Sequence, residues 1–172
     1  MNNNIILIGM PGAGKSTVGV VLAKKLGYTF IDSDIVIQDE KGMLLHELIT
    51  KFGIDGFNEI ENEVNSKISA ENSVIATGGS AVYGKDAMEH FKSIGQVVYL
   101  KLPYNEIESR LGDLNERGVS IKKGQTLSSL YEERAPLYEK YADIIIDCNE
   151  LSIRDIVSKI SEKVTKSFPD AT

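Results

Sequence analysis

The segment Gly9-Met10-Pro11-Gly12-Ala13-Gly14-Lys15-Ser16 constrains this chain most, because it joins two different periodicities. Before it, Ile5–Ile8 is a short β-branched apolar run, which reads as a strand buried on both faces. After it, Val18, Val21, Leu22 and Leu26 share one helical face, and Gly27 stands where a C-cap belongs. Strand, glycine-rich turn and helix in that order match G-x-x-x-x-G-K-[ST] without a mismatch. Glycines let the backbone wrap closely round an anion. Successive N–H groups then point inward, and the helix N-terminus adds its dipole. We assign Gly9, Gly12, Ala13, Gly14, Lys15, Ser16 and Thr17 to the phosphates of a nucleotide. Lys15 supplies a mobile charge to the outer phosphates, and Ser16 supplies a hydroxyl to Mg²⁺. The motif alone does not choose between a kinase, a hydrolytic switch and a motor.

Beyond the loop, apolar runs and helical spacings alternate to the end of the chain. Strands are expected at Thr29–Ile31, Ser73–Thr77, Val97–Leu102 and Asp143–Cys148. Helices are expected at Leu44–Phe52, Phe57–Ile68, Lys85–Ser93, Asn105–Leu111, Leu127–Ala142 and Ser152–Lys166. Pro136 falls inside the fifth of these, so a kink or break is expected there. Alternation of this kind predicts an α/β fold, a parallel sheet covered on both faces. With 172 residues and no linker or repeat, the chain reads as a single domain. Gly112–Gly124 has no apolar period and carries Arg117, Lys122 and Lys123. A loop that long in a compact domain is expected to be a functional lid.

Other function classes recede on composition. The net charge is -6 and no Lys or Arg run stands out, which argues against a nucleic-acid-coating surface. No apolar stretch reaches transmembrane length, and no signal peptide precedes Ile5. The lone Cys148 closes an apolar run and reads as a buried small hydrophobe in a reducing compartment. His46 and His90 have no metal-ligand spacing and are given to helix surfaces. A cytoplasmic monomer is the expectation.

Asp32 and Asp34 follow the second strand. On an extended segment both carboxylates would point the same way, toward the strand's carboxyl edge, where α/β ligands bind. One could hold a Mg²⁺-bound water, and the other could take a hydroxyl proton or orient the attacking oxygen. Asp34 could instead be a helix N-cap. Arg134 lies on the helix after the lid, where one reading of it is an exposed pair with a helix Glu.

Read in order, the chain resembles the shikimate kinases, over nearly its full length from Ile5 to about Ile160. The residues that carry the resemblance are the loop, Phe30-Ile31-Asp32-Ser33-Asp34, Thr77-Gly78-Gly79, and Glu133-Arg134-Ala135-Pro136-Leu137-Tyr138. The resemblance implies a three-layer, five-stranded fold like that of nucleoside monophosphate kinases. It also implies a lid at about 112–124 and a substrate-binding helical region at about 34–69. The implied reaction is phosphorylation of shikimate by MgATP in aromatic amino acid biosynthesis. By the same resemblance Asp32 is on the metal side, Asp34 contacts the acceptor hydroxyl, and Arg134 grips the acceptor carboxylate. Arg117 closes over the transferring phosphate, and Arg110 packs on adenine. The acceptor is expected against Asp34, Asn58, Gly78, Gly79, Ser80 and Arg134.

Three positions depart from the family pattern. Asn58 stands where the family has an Arg, Ser80 where it has a third Gly, and Gly118 where it has a Pro. Losing a charge-assisted contact to a carboxylate typically costs about 1.5–3 kcal/mol. Two other readings therefore stay open. One is a kinase of this fold acting on a sugar acid, polyol or hydroxy amino acid. The other is a nucleotide-binding regulatory protein with little turnover.

Overall fold

The structure, a computed structural model, describes residues 3–112 and 121–167. Five strands form one parallel sheet: β1 (Asn4–Ile8), β2 (Thr29–Asp32), β3 (Ser73–Ala76), β4 (Gly95–Lys101) and β5 (Ile144–Asp147). Their order across the sheet is β2-β3-β1-β4-β5. The helices are α1 (Lys15–Leu26), α2 (Ser33–Lys41), α3 (Leu45–Asn65), α4 (Lys85–Ile94), α5 (Tyr104–Leu111), α6 (Leu127–Tyr141) and α7 (Ile153–Ser167). A short 3₁₀ turn spans Ala81–Tyr83. The expected α/β class and five parallel strands are what the structure contains.

The centre of the sheet explains why β1 is uniformly apolar. Ile5, Ile6, Leu7 and Ile8 are all fully buried between the neighbouring strands and the covering helices. Helices α1 and α7 pack against each other and lie on β3 and β5, while α4 and α6 lie on β4. One polar residue sits in this strand. Asn4 is fully buried, and its side-chain amide donates to the carbonyls of Ala70 (2.7 Å) and Ile94 (2.9 Å). Its carbonyl oxygen accepts from the Ser73 N–H at 3.0 Å. Asn4 thus ties together the entries to β3 and β4 at the amino edge of the sheet.

A second, smaller apolar cluster joins α2 and α3. Ile37 of α2 packs with Leu48, Phe57 and Val64 of α3. Helix α3 is interrupted at Gly53, whose φ of 72° and ψ of 175° are non-helical. The two helices expected here are therefore joined end to end across a glycine break.

Several local expectations are corrected. Val21 is not on the buried face of α1; it is 40 % exposed, and Gly19 and Ala23 are buried beside Val18 and Leu22 instead. Gly19 is required there because a Cβ would lie 2.7 Å from the Phe30 ring. Helix α6 runs unbroken through Pro136. Pro136 is solvent-facing, so the carbonyl that loses its partner can be hydrated, while buried Arg134 and Tyr138 anchor both sides. Cys148 is buried as expected, and burial pushes its thiol up to about 11.

Asn4→Ala would leave the Ala70 and Ile94 carbonyls and the Ser73 N–H without their partner. It should cost about 3 kcal/mol of stability. The check is a lowered urea midpoint at unchanged slope.

Candidate active site

Because β3 sits between β1 and β2, the carboxyl ends of all three meet at one edge of the sheet. The loop after β1, the turn after β3 and the start of α2 therefore face one another, as the strand-edge rule expects. They enclose a cavity of ≈ 320 Å³. Gly12, Gly14, Lys15, Ser16 and Thr17 form its phosphate-loop side; Asp34, Gly78, Gly79, Ser80 and Arg134 form the facing side. Gly9 and Ala13 stand behind the loop. Gly9 has a φ of 151°, and a Cβ there would lie 2.9 Å from the Leu100 carbonyl oxygen. The Ala13 N–H donates to the Met10 carbonyl at 3.1 Å, closing the loop's turn.

Lys15 is 7 % exposed. Its ammonium donates to the carbonyls of Gly9 (2.6 Å) and Met10 (2.8 Å). Burial lowers its pKa to about 8, against the nearby charge of Asp34, which raises it. The lysine is thus cationic at neutral pH and close to losing its charge just above it.

The aspartate pair is arranged differently from the strand reading. Strand β2 ends at Asp32, and α2 begins at Ser33. Asp32, not Asp34, is the N-cap: its Oδ1 accepts from the Asp34 N–H at 2.9 Å. Asp34 lies in the first helical turn and lines the cavity. Burial, and then the neighbouring Asp32 charge, raise Asp34 to about 6.

Facing Asp34 is a carboxylate that sequence spacing does not single out. Glu61, on α3, is 1 % exposed. Its Oε1 accepts from the Ser80 hydroxyl at 2.6 Å, while its Oε2 has no hydrogen-bond partner. Burial raises Glu61 to about 7, opposed by the Ser80 hydrogen bond. A Cβ at Gly78 would lie 2.9 Å from Asp34 Oδ1 and 3.0 Å from Glu61 Oε2, so two carboxylates converge on this glycine. The sequence signal is faint: Glu61 lies one helical turn after Phe57.

Arg134 projects from α6 and is 2 % exposed. Its Nε donates to the Tyr83 hydroxyl at 3.2 Å, and its guanidinium lies 5.3 Å from the Tyr83 ring centre. Tyr83 in turn donates to Glu133 Oε2 at 2.9 Å, and Gln125 donates to the same oxygen at 3.0 Å. The Tyr138 hydroxyl donates to the Gly79 carbonyl at 2.6 Å, which fixes the turn after β3. Glu133 and Tyr138 belong to the stretch around Arg134 that carries the family resemblance, though their partners are not legible from it; Tyr83 and Gln125 have no signal of their own in the sequence.

Asn58 is not on the wall of the first cavity. It lines a second one, of ≈ 300 Å³, together with Tyr83, Lys122, Gln125, Glu133 and Arg134. Arg134 is on the wall of both. Arg110 is exposed on α5; it donates to Glu106 and to the Gly12 carbonyl, both at 3.3 Å. That places it beside the phosphate loop. Arg117 lies outside the described residues.

The buried Glu61 charge gives a stability signature. Its folded-state pKa is raised, so the cost is absent at low pH, grows as pH rises, and is complete above about 7. Glu61→Gln should therefore raise the melting temperature by several degrees at pH 8 and change it little near pH 4.5, as read by thermal denaturation at the two pH values.

Comparison with known proteins agrees with this geometry. The family described as shikimate kinase matches residues 11–165. A shikimate kinase of Francisella tularensis subsp. holarctica is 40 % identical over 162 residues, 92 % of each chain. The structure of a shikimate kinase from Acinetobacter baumannii in complex with shikimate superposes with a TM-score of 0.87. It is 34 % identical and covers 98 % of this chain and 96 % of its own. A shikimate kinase from Bacteroides thetaiotaomicron gives 0.76 at 31 % identity, covering 94 % of this chain and 98 % of its own. The phosphate loop, the Asp34 wall and Arg134 therefore sit in a chain that belongs to the shikimate kinase family.

Proposed function

We propose that this chain transfers the γ-phosphate of ATP to a ring hydroxyl of shikimate, giving shikimate 3-phosphate and ADP. The observation that carries this reading is one cavity holding the Lys15 ammonium, the Asp34 carboxylate and buried Arg134. A phosphate donor enters from the loop side, and a carboxylate-bearing alcohol enters from the other.

The chemistry follows from the placement. The acceptor hydroxyl oxygen attacks the γ-phosphorus; its new O–P bond forms as the bond to the bridging oxygen breaks, and ADP leaves. Asp34 takes the hydroxyl proton. Its raised pKa brings it nearer to a useful base than an ordinary aspartate. Lys15 and the loop N–H groups hold negative charge on the phosphates. Arg134 orients the acceptor through its carboxylate. Arg110 is proposed to flank the adenine, and Arg117 to neutralise the transferring phosphoryl group.

Mg²⁺ fits the donors present. Ser16 lines the cavity, and Asp32 uses Oδ1 in its cap. Mg²⁺ commonly needs only one or two protein oxygens besides phosphates and water. Ser16 and Asp32 would hold it, and it would neutralise phosphate charge when bound. We place the enzyme in the cytoplasm, as a monomer, in aromatic amino acid biosynthesis. Among the described residues, no helix is long and apolar enough to cross a membrane.

The test is release of ADP from MgATP with shikimate, set beside a panel of sugar acids, polyols and hydroxy amino acids. Turnover with shikimate at low concentration is expected. Turnover only with another acceptor would overturn the proposal, as would tight ATP binding with no turnover at all.

Two further outcomes are expected. Asp34→Asn should lower kcat by about 10²–10⁴-fold with little change in the KM for ATP. With shikimate, kcat/KM should rise as pH passes about 6, where Asp34 loses its proton, and fall as pH passes about 8, where Lys15 loses its charge. A flat profile across that window would sink both assignments.

A further inference from the structure

The second cavity raises a question of charge. It adjoins the first through Arg134. Its wall at position 58 carries a neutral amide, whose Oδ1 is buried without a hydrogen-bond partner. An acceptor carboxylate beside Arg134 would therefore meet no second cation from α3. A cation does reach this space from another element. Lys122 lies on the approach to α6, more than sixty positions along the chain from Asn58, yet lines the same cavity.

We propose that Lys122 is the second carboxylate-binding cation of this chain, taking the place of the charge absent at Asn58. The inference rests on the reading of the acceptor as a carboxylate-bearing shikimate.

Three observations support it. The Lys122 ammonium lies 3.6 Å from Asp55 Oδ1, and the two side chains are 62 % and 85 % exposed. So open a pair is held weakly, and exchanging Asp55 for a bound carboxylate loses little. The other acid on the wall is already engaged. Glu133 accepts from Gln125 and Tyr83, and those hydrogen bonds hold its carboxyl below the usual range. Glu133 is thus held by those two hydrogen bonds; the Lys122 charge also acts on it, but the ion pair of Lys122 is with Asp55. Finally, a lysine has the length for this role. Its flexible stem can place a point charge from the rim, whereas Arg134 is rigidly set from below.

The reading also assigns a division of labour. Arg134 is buried and held by Tyr83, so it fixes the direction of the carboxylate. Lys122 approaches from the solvent side and adds charge without a fixed geometry. Specificity for a carboxylate would then be set by two elements, α6 and the segment leading into it, with α3 contributing only an amide.

The experiment measures KM for shikimate and for an analogue whose carboxylate is replaced by hydroxymethyl, in wild type, Lys122→Met and Lys123→Met. Lys123 is exposed, does not line the cavity and controls for loss of a nearby charge. Lys122→Met should raise the shikimate KM about tenfold. The analogue's KM, the ATP KM and kcat should stay unchanged, and Lys123→Met should behave as wild type. Adding Asn58→Arg to Lys122→Met should restore the shikimate KM. An unchanged shikimate KM in Lys122→Met would overturn the proposal. So would equal weakening of both acceptors, which would show a role unrelated to the carboxylate. Failure of wild type to turn over either acceptor would overturn the shikimate reading and Lys122 with it, and it is told apart because it precedes any substitution.

Discussion

Lys15 is a positive charge taken out of water, and much of the molecule is arranged around that fact. Burial lowers its pKa, favouring loss of the proton. Asp34, Glu61 and Asp32 offset this from the facing walls, while Arg134 works against it. The charged form of Glu61 is in turn favoured by Arg134 and the same lysine, and that of Asp34 by the lysine. Each charge is tolerable because the others are present. The backbone enforces the arrangement: two loop carbonyls hold the ammonium, and a side chain at Gly78 would push the carboxylates apart.

That mutual dependence explains what is legible in the sequence. The phosphate loop is local. Its glycines, its lysine and its flanking elements all lie between Asn4 and Leu26, so spacing alone predicts its geometry. The five strands are equally readable, because each is a short apolar run between turn residues. Position points to Asp34, which lines the cavity, but sets it on the strand and not on the helix where it lies. Spacing cannot show that the chain turns from strand to helix at Ser33, since Asp32 makes that turn by capping. Glu61 escapes a sequence reading because its partners come from elsewhere: Ser80 and Gly78 follow β3, and Asp34 opens α2. Spacing alone does not distinguish Glu61 from its acidic neighbours Glu59 and Glu63; only its place at the end of the family's Phe-Arg-x-x-Glu stretch, here Phe57-Asn58-Glu59-Ile60-Glu61, marks it. Asn58 is legible as a departure from a pattern, but its place in a separate cavity is a property of the assembled helices.

The two cavities share a wall but differ in their groups. Lys15, Ser16 and Asp34 line the first. Asn58, Lys122 and Glu133 line the second. Arg134 is the shared wall, and its contacts with Tyr83 make it stiff. A rigid cation between the spaces lets binding on one side fix geometry on the other, which is how remote contacts help bring reacting atoms into line.

The glycine break in α3 divides one wall of the first cavity between two helical segments. Beyond Gly53, α3 is tied to the body: Glu61 is bonded to Ser80, and Asn62 pairs with Asp86 and the Ala87 N–H on α4. Before Gly53, Leu48 packs with Ile37 of α2 in a small cluster that Phe57 and Val64 of the far half also join. Leu45 and Ile49 from the near half and Phe57 from the far half line the same cavity. A change at Leu45 or Ile49 would therefore reshape that wall from one side while the polar ties of Glu61 and Asn62 stay in place.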